Sequence, residues 1–291
     1  MRWLNWLRQQ LDPTPPAIPE AMWQSTLRAL PFLDFLPESD KAKLKSLTEQ
    51  LLAHTPFSGA AGLTLTDEMA VWIAAQAALP VLNLSLSLYD DMSAVIVVPD
   101  AVPIRRQMMD DDGVVHEWEE MLAGEAVDMG GAVLLSWPDI AGTQSEDAPL
   151  PHNVVIHEFA HKIDMGRGGA NGYPPFLAGL HAREDFADWA SVFSAAFDDF
   201  CDRVDRLDAS LGTDFDPDQD EHATRYELLA GELPMDPYAA TDPAEFFAVA
   251  SEAFFVAPSR LAQAYPEVYR LLTRYYRQNP LPGPIQTREN P

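Results

Sequence analysis

Residues 154–164 read Val-Val-Ile-His-Glu-Phe-Ala-His-Lys-Ile-Asp, with Ile156, Phe159, Ala160 and Ile163 apolar at i, i+3, i+4 and i+7. That spacing specifies a helix with one buried flank. No other stretch narrows the possible folds so far. Four residues make slightly more than one helical turn, so His157 and His161 stack on one face, over a cleft beside the buried flank. Two imidazole nitrogens so placed can share one tetrahedral Zn2+. Glu158, next to the first histidine, can take a proton from a water held there and deliver it to a leaving amine. Gly166, Gly168, Gly169 and Gly172 follow almost at once. They supply the positive-φ positions that end a helix and shape a loop, and no Gly-Lys-Ser/Thr follows to make them a phosphate loop. The competing reading is a structural helix whose histidines merely reach solvent.

A catalytic zinc needs a third protein ligand and an open position. The pattern with Gly three and His six residues after the second histidine is excluded, because Asp164 and Arg167 stand there. Asp164 shares the face of His157 and reads either as an acceptor for a liganding imidazole or as an exposed helix-end acid. Two carboxylates remain as ligands. Glu184 is expected on a helix over about 182–206, with Asp188 one turn later, in the Glu-x-x-x-Asp arrangement of thermolysin-like enzymes. Glu245 lies where Pro243 reads as a first-turn proline and Asp242 or Thr241 as its cap. Each has a plain alternative: a solvated charge for Glu184, an acid facing its own helix dipole for Glu245. Tyr238 can offer its phenol to an oxyanion, or is simply a loop tyrosine between Pro237 and Pro243.

The string from His157 to Asp164, followed by a tyrosine seven residues before Glu245-Phe246-Phe247-Ala248, resembles the Mlc titration factor A family of bacterial metallopeptidases. So do the phrases at 65–69, 73–82 and 134–137, and the likeness covers most of residues 20–278. A shorter form of the pattern is similar to the catalytic domain of anthrax lethal factor. The resemblance implies a gluzincin-like zinc metallopeptidase in which His157, His161 and Glu245 bind Zn2+, Glu158 is the base and Tyr238 a catalytic helper. It also implies aminopeptidase-like action on small peptide substrates. The family's name implies a second role, sequestering an Mlc-type repressor and so relieving repression of sugar-uptake genes, which needs no catalysis. Glu252 lies seven residues beyond Glu245 on the same helical face and is assigned to support of the ligands rather than to the metal.

Composition bounds the setting. The net charge of −26 opposes approach to phosphate backbones and anionic lipid, so direct nucleic-acid binding is not expected. A single cysteine, Cys201, excludes an internal disulfide and fits a cytoplasmic protein; its apolar surroundings Phe193, Phe197 and Phe200 suggest packing. The stretch 69–89 lacks charge, but Gln76, Pro80, Asn83, Ser85 and Ser87 divide it into a buried helix ending before Pro80 and a following strand, not a membrane span. The acids at 214–221 look like the start of a calcium loop, but Gln219 replaces its central glycine and Arg225 its closing glutamate, which leaves a solvated loop. Trp3, Leu4, Trp6 and Leu7 suggest a short docking helix and no secretory signal.

The expected architecture is α+β and, by resemblance, zincin-like. Helices are expected near 19–34 and 39–54, the second capped by Ser39, and strands at 94–98 and 132–137. The histidine helix, the helix from 182, the Glu245 helix and a last one near 260–277 should pack on that sheet. The strand at 132–137 is read either as an edge able to pair with extended peptide or as an interior strand. In domain terms, residues 1–65 form a helical region packed on the core, 66–278 the catalytic domain and 279–291 a flexible tail.

Overall fold

The computed structural model describes residues 17–100, 102–109, 115–122, 124–125, 131–142, 152–182, 187–212, 215–216 and 219–281. Helices α1 (Glu20–Ala29) and α2 (Glu38–His54) come first, joined through a 3-10 turn at Pro31–Leu33. Ser39 is not the cap of α2. The helix starts one residue earlier, behind Pro37, whose fixed φ sets the entry and which provides no side-chain cap. After β1 (Phe57–Gly59), α3 (Asp67–Ala78) is capped by Thr66, whose hydroxyl accepts from the Met69 N–H at 3.2 Å. Its alanines and Val71 and Ile73 are fully buried, and their small size lets neighbouring elements approach closely. The helix ends before Pro80 as expected, but no strand follows. Ser85 accepts from the Ser87 N–H at 3.2 Å and opens a 3-10 turn at Leu86–Tyr89, a local bond that displaces ladder pairing.

The remaining strands are β2 (Ala94–Val98), β3 (Val102–Met109), β4 (Val115–Leu122), β5 (Gly124–Glu125) and β6 (Ala132–Ser136). One sheet runs β1-β2-β6-β5, its first three strands parallel and β5 antiparallel to β6, while β3 and β4 pair apart from it as a hairpin. The register Val95↔Val133 and Val97↔Leu135 puts four buried side chains on one face. β6 therefore sits inside the sheet, with β5 outside it, and the edge-strand reading is corrected. It also stops at Ser136: Trp137 opens α4 (Trp137–Gly142), because Pro138 has no N–H to continue a ladder.

Six helices complete the described chain: α5 (Val154–Asp164), α6 (Trp189–Leu211), α7 (Asp220–Ala230), α8 (Pro243–Val256), α9 (Pro258–Ala264) and α10 (Pro266–Tyr276). Three differ from expectation. α6 begins at Trp189, not near 182, anchored by the fully buried indole, whose Nε1 donates to Gly172 O at 3.0 Å and whose ring stacks on Phe193. α7 takes Asp220 and Glu221 out of the acidic loop, since acids are favoured at a helix N-terminus; residues 214, 217 and 218 lie outside the described residues. The last helix is divided at Pro266, which leaves Tyr265 extended at φ −131°.

One contiguous apolar core extends from Ile18 to Tyr276 and takes in Trp23, Leu33, Leu44 and Leu51 from the first two helices. Its densest part is aromatic: Trp189, Phe246, Phe247, Phe254, Tyr275 and Tyr276 are all essentially excluded from water between α6, α8 and α10. No described helix is long and apolar enough to cross a membrane. The architecture is an α+β, zincin-like core, a small sheet backed by helices that carry a His-His-Glu group.

Candidate metal centre

Asn153 starts the α5 helix. Its side-chain Oδ1 accepts from the Ile156 N–H at 3.0 Å, satisfying an otherwise orphaned donor. The apolar frame is buried as the spacing requires, with Ile156, Phe159, Ala160 and Ile163 fully excluded from water. His161 is buried and His157 half-buried, and their Nε2 atoms stand 3.2 Å apart. The opposite wall is the first turn of α8. Pro243 occupies the start of that helix, and Asp242 caps it through Oδ1, which accepts from Ala244 N at 2.7 Å and Glu245 N at 3.0 Å. That cap aims Glu245 back at the histidines. Its Oε2 lies 3.1 Å from His157 Nε2 and 3.1 Å from His161 Nε2.

The three atoms form a nearly equilateral triangle with edges of 3.1 to 3.2 Å. Ligands at about 2.0–2.1 Å around a tetrahedral Zn2+ are roughly 3.3 Å apart, so the triangle has the dimensions of one face of such a site. Hydrogen bonding alone satisfies it poorly, since two facing ring nitrogens must share a proton while the carboxylate only accepts. The electrostatics agree. Burial disfavours the charged form of His157, yet its bonds to Glu245 and Glu252 and the field of Glu158 outweigh it and hold the imidazole well above its usual pKa. Burial likewise pushes Glu245 up, but the bonds to His157 and His161 win and hold its carboxyl far below the ordinary range. A cluster that draws protons onto an imidazole in this way is one that a divalent cation neutralises. Among the described residues, His157, His161 and Glu245 are the group able to hold a metal ion. Glu184 lies outside the described residues. Asp188, just ahead of α6, is engaged at 3.4 Å by Arg270.

Around this group the supporting residues take distinct positions. Glu252, buried on α8, puts Oε2 3.5 Å from His157 Nδ1 and accepts from Asn153 N–H with Oε1 at 2.7 Å, so it stands behind the imidazole and outside the triangle. Asp164 is buried, which removes the exposed-acid reading, but it does not accept from an imidazole either. Its Oδ2 takes the N–H groups of Asn171 and Gly172, each at 2.6 Å, while Oδ1 and His161 Nδ1 make no hydrogen bond. Gly172 has a further role. At φ +78°, with a Cβ there falling 2.5 Å from Pro243 O, it clamps the end of α5 against the start of α8. The glycine run was legible as a helix stop; this role as a spacer was not, because the partner is more than seventy residues away.

Tyr238 lies on a 3-10 turn, Pro237–Ala240, capped by Asp236, whose Oδ1 accepts from the Tyr238 N–H at 2.9 Å. Its ring centroid is 6.1 Å from that of His157. Glu158 is buried on α5 beside the histidines. Cys201 packs against the same turn, with Sγ 3.7 Å from Ala240 O. Burial and the neighbouring Asp198, Asp205 and Asp202 push its thiol up, the opposite of an activated nucleophile.

With that geometry in view, the family model for glucose-regulated metallo-peptidase M90 matches residues 3–277. The chain belongs to this family. Its M90 relatives include proteins called Mlc titration factor A. That of Serratia proteamaculans is 34% identical over 268 residues, covering 92% of this chain and 90% of the relative. That of Yersinia pestis is 34% identical over 279 residues, covering 96% and 91%. A protein of Synechocystis described as uncharacterized is equally similar, 34% over 282 residues and 96% and 90% of the two chains. Membership of a metallopeptidase family implies a metal cofactor, and the His-His-Glu group has the donors to hold one.

Proposed function

We propose that this M90 protein is a zinc-dependent peptidase, aminopeptidase-like in its preference for small substrates, with His157, His161 and Glu245 as ligands and Glu158 as general base. The observation that carries the reading is the triangle of 3.1 to 3.2 Å formed by two Nε2 atoms and a carboxylate oxygen, with a buried glutamate adjacent in sequence to one of the ligands. His157, His161 and Glu245 would hold the zinc, which would supply Lewis acidity for the scissile carbonyl and for an attacking water. Glu158, buried beside the first histidine, would take a proton from that water and return it to the departing amine. The Tyr238 hydroxyl donates to the carbonyl oxygen as it becomes negative. Glu252, whose Oε2 lies 3.5 Å from His157 Nδ1, would steady the back of that imidazole as a charge partner. The anionic surface, −26 overall, suits a substrate with a free amine. The rest of the proposal follows the chain's organisation: a helical region at 1–65 packed on a catalytic domain at 66–278, a tail at 279–291, and a cytoplasmic setting.

The relatives' name, Mlc titration factor A, favours a second role in which this protein binds an Mlc-type partner; by the family resemblance that partner would be a repressor of sugar-uptake genes. The two separate in one experiment. Purified wild type and Glu158→Gln are assayed on a panel of chromogenic amino-acid substrates and for binding of a purified Mlc-type repressor. Hydrolysis lost with zinc retained supports the peptidase mechanism, and binding retained alongside it places the titration surface away from the base. Full peptidase activity in Glu158→Gln overturns the mechanism.

A further inference from the structure

α3 is a rod of alanine and aliphatic side chains, and inside it lies one fully buried amide, Gln76. A buried amide is costly unless its hydrogen bonds are made. Gln76 makes them in a fixed sense: Nε2 donates to Trp72 O at 3.2 Å, which leaves Oε1 to accept from Asn153 Nδ2 at 2.7 Å. Asn153, 1% exposed, thus does more than cap α5. A serine or aspartate would cap as well through its oxygen, but only an amide adds the donor arm that reaches Gln76. With its side chain held at both ends, Asn153 presents its backbone N–H to Glu252 Oε1 at 2.7 Å, and the other oxygen of Glu252 lies 3.5 Å from His157 Nδ1. Three elements far apart in sequence, α3, α5 and α8, therefore meet in one buried hydrogen-bonded chain that ends on Glu252, whose second oxygen is in ion-pair contact with the imidazole.

We infer that Gln76 and Asn153 are positioning residues for the metal centre, acting through Glu252 to fix the ring of His157 with Nε2 turned toward Glu245 and His161. The inference rests on the metal site proposed above. Neither residue reaches the Nε2–Oε2 triangle. Their effect is on the orientation and basicity of a ligand, so they govern how tightly metal is held rather than which atoms hold it. Among the described residues no equivalent chain stands behind His161, whose Nδ1 has no hydrogen-bond partner there. His157 is thus the ligand with a charged group of the chain set directly behind its ring.

The test uses the full chain with two substitutions. Gln76→Met removes the acceptor at similar volume, and Asn153→Ser keeps the capping oxygen and the backbone N–H but removes the arm to Gln76. Zinc affinity is measured by competition with a chromophoric chelator, the unfolding midpoint of the metal-free protein is measured alongside, and the His157 Nδ1–H is followed by ring 1H–15N spectra of the zinc-loaded protein. Partners one step behind a ligand alter metal affinity by about ten- to a hundredfold, and these lie one step further back, so about tenfold weaker binding is expected in each. The midpoint of the metal-free protein should fall in both variants, because each leaves a buried polar group without its partner, but the Nδ1–H should also exchange faster with solvent, which a purely structural role would not cause. Should one variant fail to fold, the other decides. Wild type that binds zinc while the folded variant binds within twofold of it, with an unchanged Nδ1–H, overturns the inference and leaves the metal site standing. Wild type that binds no zinc overturns the metal site, and the inference with it.

Discussion

Glu158 and Glu245 are two acids beside the same imidazoles, yet their surroundings differ. Glu245 reaches both Nε2 atoms at 3.1 Å across the cleft, whereas Glu158 shares α5 with the histidines and is buried next to them. Substitution should separate them. Glu158→Gln is expected to keep its zinc and lose about a hundred- to ten-thousand-fold in kcat, the usual worth of a positioned base. Tyr238→Phe should lower kcat by about a hundredfold or more with zinc content unchanged and KM little affected, as expected for a donor used only when charge develops on the carbonyl. Steady-state kinetics with metal analysis on the same samples checks both; equal losses in kcat and zinc would assign either residue to the metal instead. At this scale the sequence was partly legible. The four-residue spacing put His157 and His161 on one face because it is a local, helix-periodic signal, and the fold brings their Nε2 atoms within 3.2 Å. It could not choose between Glu184 and Glu245, since a third ligand comes from a distant element and only tertiary contact places it. Family resemblance favoured Glu245, and the fold brings that residue to the histidines.

At the level of elements, the clamp between α5 and α8 is the most exposed to a single change. Gly172→Ala would face both a positive φ and Pro243 O at 2.5 Å. Strain of this kind costs about 1–3 kcal/mol, and relief requires moving the first turn of α8. The expected result is a lower unfolding midpoint together with weaker zinc binding, measured by calorimetry and chelator competition; a loss of stability with unchanged zinc affinity would show that the clamp does not set the position of Glu245. Removing the cap with Asp242→Ala should cost about 1 kcal/mol and act in the same direction. Elements with strong local signals were readable: Pro243 and Asp242 announced α8, and the β-branched run at 94–98 announced β2. Those missed had signals that were weak or overridden. β1 is three residues containing Ser58 and Gly59 and exists only through its pairing with β2. α7 was hidden because acids at its start look like a solvated loop, and the break at Pro266 lay inside an otherwise continuous helical pattern.

For the whole molecule, the arrangement makes metal binding and folding a shared property. The triangle joins α5 to α8, and α8 is also the wall of the aromatic core formed with α6 and α10. A ligand that binds only the folded chain stabilises it by about 4 kcal/mol when present at a thousand times its Kd. Chelation should therefore lower the unfolding midpoint, and added zinc should restore it; a midpoint indifferent to chelator would mean that the centre is not closed by metal. The large negative charge belongs to this scale as well, since it shapes which partners approach and not which fold forms. The central claim is tested most directly by elemental analysis of purified wild type, Glu245→Ala and Glu184→Ala. About one zinc per wild-type chain, lost in Glu245→Ala and kept in Glu184→Ala, is the predicted result. Zinc kept in Glu245→Ala and lost in Glu184→Ala would contradict it and move the third ligand to the other carboxylate.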